Sequence, residues 1–101
     1  MATVRWTQHA RDDLREIHDF IMRDSPRAAE AMVERLVTAT ERLASFPDSG
    51  RIVPEFPKLA YREIIVGSYR VLYRHQLDQD IVWIAAVIHG RRILSGPKEE
   101  V

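Results

Sequence analysis

Apolar residues recur at intervals of four, three and four from Ala10 through Leu14 and Ile17 to Ile21, the period of one helical face. Between them Arg11, Asp12, Arg15, Glu16 and Asp19 make the other face polar. Thr7 stands where an N-cap belongs, and Asp12 and Asp13 near the first turn suit the positive end of a helix dipole. The stripe stops around Arg23 to Ser25. Ser25 supplies a second cap, and Pro26 takes the first helical position, where its missing N–H costs nothing. Ala29, Met32, Val33, Leu36, Thr40 and Leu43 form the next stripe, opposite Arg27, Glu30, Glu34, Arg35, Glu41 and Arg42. Pro47 and Gly50 in "FPDSGR" end this helix. So short a link between two patterned helices predicts an αα-hairpin.

Elsewhere the pattern is that of strands. "TVRW" (Thr3 to Trp6) is a short one, with β-branched and aromatic residues around one arginine. "IVPEFPK" (Ile52 to Lys58) holds two prolines and reads as an extended connector or an edge. "AYREIIV" (Ala60 to Val66), "YRVLYRH" (Tyr69 to His75) and "IVWIAAVI" (Ile81 to Ile88) are strands, the first two joined by a two-residue turn at Gly67-Ser68. The last is apolar on both faces and is expected to lie centrally. The architecture is α+β: an N-terminal strand and an αα-hairpin packed on one face of a three- to four-stranded antiparallel sheet.

The turn fixes the hairpin register. Val66 pairs with Tyr69, Ile65 with Arg70, Glu63 with Leu72 and Tyr61 with Arg74. Alternation then puts Tyr61, Glu63, Ile65, Arg70, Leu72 and Arg74 on one face. The other, more apolar face carries Arg62, Ile64, Val66, Tyr69, Val71 and Tyr73 and belongs under the helices. The first set should be open to solvent. Arg70 and Arg74 there, with Glu63 diagonal to both, form either a cross-strand salt-bridge cluster or an anion- or partner-binding platform. His89, Arg91 and Arg92 after the last strand are either a polar stop, or a general base and phosphate contacts brought beside Arg70. Trp6 and Trp83 read as core residues.

Composition narrows the classes. With 101 residues, 46% hydrophobic and 30% charged, the chain is expected to form one domain over residues 1–95, followed by a frayed tail over 96–101. A formal net charge of zero gives no global pull toward nucleic acid or membrane. The absence of cysteine excludes disulfides, thiolate chemistry and cysteine-ligated zinc. His9, His18 and His75 are scattered, so no metal site and no cofactor is expected. There is no phosphate-binding glycine loop and no nucleophile elbow. No stretch approaches the roughly 18 apolar residues of a membrane span, and the protein is expected in the cytoplasm.

The pieces "VRWTQHARDDLREIHDFI", "SPRAAEAMVERLVTATERLASFPDSGR", "YREIIVGSYRVLYR" and "IVWIAAVIHGRR" follow one another from Val4 to Arg92. In this order they resemble the RelE/ParE superfamily of toxins of type II toxin–antitoxin systems, and more closely the ParE branch, often called plasmid stabilisation proteins. The resemblance implies the same helical hairpin against a sheet. It also implies a cognate antitoxin with a DNA-binding domain and a C-terminal segment that folds on the toxin, so that DNA is met only through the antitoxin. ParE-like members inhibit DNA gyrase by direct binding; RelE-like members are ribosome-dependent mRNA endonucleases. Arg70 matches the family arginine after the hairpin tyrosine, Arg91 or Arg92 the basic stop, and His89 the general-base neighbourhood. Were the chain a nuclease, Arg70, His89 and Arg91 would be its catalytic candidates. Yet the strand from Tyr61 to Val66 has no lysine, and no tyrosine follows Tyr73. The ParE-like function is therefore expected, with Tyr61, Glu63, Arg70, Arg74, His89, Arg91 and Arg92 as candidates for binding target or antitoxin. A third reading is an inactive member that only binds antitoxin and co-regulates its operon.

Overall fold

The computed structural model describes residues 1–92; the expected tail over 96–101 lies outside them. Strand β1 (Thr3–Trp6) leads into helices α1 (Gln8–Met22) and α2 (Pro26–Glu41), the latter extended by a 3-10 turn over Arg42–Ala44. Strands β2 (Arg51–Ile52), β3 (Tyr61–Val66), β4 (Tyr69–Gln76) and β5 (Ile81–His89) follow. They form one sheet in the order β1-β5-β4-β3-β2. The α+β class is as expected. The sheet is mixed and five-stranded, however, because β1 runs parallel to β5 and the two-residue β2 closes the far edge.

Both helix starts follow their caps. Thr7 is extended, and its Oγ1 accepts the Ala10 N–H at 3.1 Å. The same hydroxyl donates to the Ile84 carbonyl at 3.0 Å, so the cap also fastens α1 to β5. Ser25 accepts the Ala28 N–H at 3.1 Å, with Pro26 opening the helix. Asp12 and Asp13 do not serve the dipole as expected: α1 begins at Gln8 and its first turn holds no acid. Asp13 reaches sideways instead, its Oδ2 accepting the Val87 N–H at 2.9 Å.

The β3–β4 register matches the two-residue turn throughout, from Val66–Tyr69 to Tyr61–Arg74. Gly67 supplies the positive φ of 59° that the turn requires. The irregularity lies one strand over. Leu72 pairs with Ala86 but Tyr73 with Ile84, which leaves Ala85 as the extra residue of a bulge. β1 ends at Trp6, opposite Ile84. Past that point no strand among the described residues pairs with β5 on this side, and Thr7 and Asp13 satisfy its exposed backbone groups.

Between helices and sheet lie the fully buried Leu36, Leu43, Val71, Tyr73, Val82 and Ile84. Trp6 packs against this core as expected. The central strand is β4 rather than β5, and four consecutive residues, Arg70 to Tyr73, are buried in it. That requires cover on both faces. The second cover is the connector after β2: Val53 is wholly buried with Leu72 and Ile88, and Phe56, Tyr61 and Ala86 close around them. Each such side chain contributes about 1.5–3 kcal/mol on leaving water. The connector therefore closes part of the face opposite the helices.

Candidate functional site on the sheet face

Under the connector, β3 and β4 bring Glu63 and Arg70 together on the face expected to be open. Neither is open: Arg70 exposes 5% of its surface and Glu63 1%. Arg70 Nη1 and Nη2 donate to the two Glu55 carboxylate oxygens, each at 2.7 Å. Its Nε donates to Glu63 Oε1 at 2.7 Å, and Nη1 also reaches the Arg92 carbonyl at 3.1 Å. Glu63 Oε2 in turn accepts from Arg51 Nε at 2.6 Å. The bidentate Glu55 bond, followed by Glu63, holds the guanidinium charged beyond the ordinary arginine range, against the burial that opposes it. This is the salt-bridge reading of the pattern, but buried and with different partners. Arg74 takes no part in it, and Glu55 and Arg51 come from a segment whose prolines marked it only as a connector.

Beside this network Gly50 packs against the sheet. A side chain there would meet the Glu63 carbonyl at 2.6 Å and the Tyr73 hydroxyl at 2.7 Å. The close approach lets the Gly50 N–H donate to the Tyr73 hydroxyl at 2.9 Å. Burial pushes the Tyr73 phenol above its ordinary pKa. Arg62 faces the helix side and donates to the Gly50 carbonyl at 2.9 Å.

His89 is not beside Arg70. It pairs with Tyr69, whereas Arg70 pairs with Ile88, and adjacent positions point to opposite faces. The His89 ring meets the Tyr69 ring edge-on at 6.0 Å, and its Nδ1 accepts the Arg91 N–H at 3.2 Å. Arg91 and Arg92 are exposed. The expected grouping of Arg70, His89 and Arg91 around one phosphate is thus not assembled.

The rest of the same face has a different make-up. Arg5 pairs with Trp83, Trp83 with Arg74, and Arg74 with Tyr61. These four side chains form one row across four strands, on the face away from the helices. Trp83 is not core as expected; it is half-buried in this row, and its indole N–H donates to Gln76 Oε1 at 2.9 Å. Tyr61 leans edge-on against Phe56 of the connector at 6.0 Å. Arg5 and Arg74 are exposed. Sequence reading located Tyr61 and Arg74 through the hairpin register. It missed Arg5 and Trp83, because the parallel β1–β5 pairing that aligns them carries no turn signal. Among the described residues no group of three or more histidines and carboxylates is placed to hold a metal ion.

The model of the ParE toxin of the type II toxin–antitoxin system parDE matches residues 4–94. Toxin RelE2 of Caulobacter vibrioides is 37% identical over 93 residues, spanning 92% of this chain and all of the relative. Among solved structures, the chromosomal ParDE system of P. aeruginosa matches with a TM-score of 0.73 at 19% identity, over 88% of this chain and 96% of that one. The RelBE2 toxin–antitoxin complex of Mycobacterium tuberculosis matches at 0.59 and 29% identity, over 87% and 96%.

Proposed function

The chain belongs to the ParE toxin family of type II toxin–antitoxin systems, and we propose that it acts by protein contact, inhibiting DNA gyrase in the cytoplasm until a cognate antitoxin folds onto it. The observation that carries this reading is the state of Arg70. A nuclease of the RelE kind needs positive charge free to stabilise the scissile phosphate. Here that arginine is spent on Glu55 and Glu63, and two carboxylates beside it repel rather than attract a phosphate. His89 pairs with Tyr69 and not with Arg70, which also speaks against a general base beside that arginine. A toxin that works by binding needs neither group free. No helix of the described residues is long and apolar enough to cross a membrane.

The other reading, ribosome-dependent mRNA cleavage, is favoured by the name of the C. vibrioides relative. Plasmid supercoiling by purified gyrase, with rising amounts of this protein, separates the two. Inhibition relieved by antitoxin is expected. No effect well above stoichiometry, together with mapped mRNA cuts in a translating extract, would overturn the proposal in favour of the nuclease.

A further inference from the structure

The row Arg5–Trp83–Arg74–Tyr61 takes no part in the buried network around Arg70. Its four strands lie side by side, so neighbouring side chains stand about 4.8 Å apart and the row runs roughly 14 Å across the flat of the sheet. The two rings are half-buried and held in place, Trp83 by Gln76 and Tyr61 by Phe56. The two arginines alternate with them and are exposed. Among the described residues neither has an ion pair. The acids of this face, Glu55 and Glu63, are taken by Arg70 and Arg51. In a chain of zero net charge, two cations thus stand without counter-charge beside two fixed rings.

Between Tyr61, Arg74 and Trp83 the surface dips into a hollow of about 300 Å³, lined also by Thr7 and Ala85. Ala85 is the extra residue of the β5 bulge and brings only a methyl group to it. The Thr7 hydroxyl is already bonded to Ile84 and Ala10. The hollow therefore offers rings, a methyl group and one guanidinium, a setting for an apolar side chain with an acid next to it. Tryptophan, tyrosine and arginine are the residues that carry most of the binding energy at protein interfaces, and a set held rigid beforehand loses little freedom on docking. A nucleic acid strand calls instead for a run of cations along its path. This row has two, and the face beyond it holds the carboxylates of Glu55 and Glu63.

We propose that this row is the surface with which the toxin grips its protein target, at an acidic patch bearing one exposed apolar side chain. That side chain enters the hollow, and carboxylates around it meet Arg5 and Arg74. Contact is made by side chains on the flat of the sheet and leaves the strand edges unused. The inference rests on the reading that the target is gyrase, and it names the part of the toxin that touches it.

Two charge-matched variants carry the test. Arg5→Glu/Arg74→Glu reverses the row. Arg15→Glu/Arg27→Glu makes the same change of charge at exposed positions on the two helices. Both are compared with the unaltered toxin in plasmid supercoiling by gyrase and in calorimetric titration of DNA-free gyrase. The row variant is expected to need at least tenfold more protein for equal inhibition and to bind gyrase at least tenfold more weakly, at an unchanged melting temperature. The helix variant is expected to match the unaltered toxin. The neutral pair Arg5→Gln/Arg74→Gln is expected to fall between, and it replaces the reversal if that lowers the melting temperature. Inhibition by the row variant equal to that of the unaltered toxin overturns the inference and leaves the gyrase reading standing. An equal loss in the helix variant does the same, because overall charge would then be the cause. A single-stranded oligonucleotide that competes with DNA-free gyrase for the row overturns it in favour of nucleic acid. No inhibition by the unaltered toxin overturns the gyrase reading and this inference with it.

Discussion

Arg70 shows how one residue's position reverses its meaning. An arginine on a sheet face is ordinarily a solvated charge, and its pairs contribute little. Beneath the connector it is a buried cation with a carboxylate on either side, and the three form one unit with Arg51. Breaking such a unit from one side leaves an uncompensated charge in the interior. Arg70→Met is expected to cost about 3–5 kcal/mol of folding stability, seen as a lower midpoint in urea unfolding. A loss below about 1 kcal/mol would mark the pair as solvated and return Arg70 to the list of contact residues. The consequence for function is direct. An Arg70→Ala variant that binds its partners poorly would do so because the sheet face beneath the connector has lost its support. Arg74, four residues on and exposed, is the arginine whose removal leaves the fold intact.

Elements that are specified locally were legible: both helices with their caps, the hairpin turn and its full register. Each depends on residues within a few positions of one another. What escaped depends on distance. The β1–β5 pairing joins residues that no turn connects, and the folding back of Val53 and Phe56 onto Leu72 and Ile88 is concealed by prolines that mark only an irregular segment. The open face was thus half right, since the register put the correct residues on it and the connector then covered some of them. Asp13 shows the same limit on α1. Its place near a helix start suggested a dipole role, whereas it docks the helix onto the free N–H of Val87. Burial raises its carboxyl above the ordinary value, and the Val87 bond and the charges of His9 and Arg92 only partly offset this. A raised folded pKa means that its contribution to stability is fully present below the unfolded value and is lost as pH rises through the folded one. Asparagine keeps an acceptor for Val87 without the charge. Asp13→Asn is therefore expected to gain on the native protein as pH climbs out of the acid range, and then to level off, in unfolding curves measured at a series of pH values. The opposite slope would mean that His9 and Arg92 stabilise the carboxylate more than burial penalises it.

Across the whole molecule, the first strand is held by the last. Thr7 and Ile84, 77 positions apart, are joined through both backbone and hydroxyl, and Ala2 donates to the Ala44 carbonyl at 2.8 Å. Terminal edge strands usually fray. This one carries Val4 and Trp6 into the same core as both helices, so it cannot leave without exposing that core. Its opening is expected to be the opening of the fold. Native-state hydrogen exchange tests this with a control inside the strand. The amides of Thr3 and Thr7, which donate to the Asp80 and Ile84 carbonyls at 3.0 and 3.1 Å, should exchange only through global unfolding, with the denaturant dependence of the β4 amides. In this parallel ladder the amides of Val4 and Trp6 point away from β5, and they should exchange far faster. Fast exchange of Thr3 and Thr7 would show a strand that detaches independently. With the amides of Thr3 and Thr7 protected and those of Val4 and Trp6 open, β1 is a closed part of the fold despite lying at the end of the sheet.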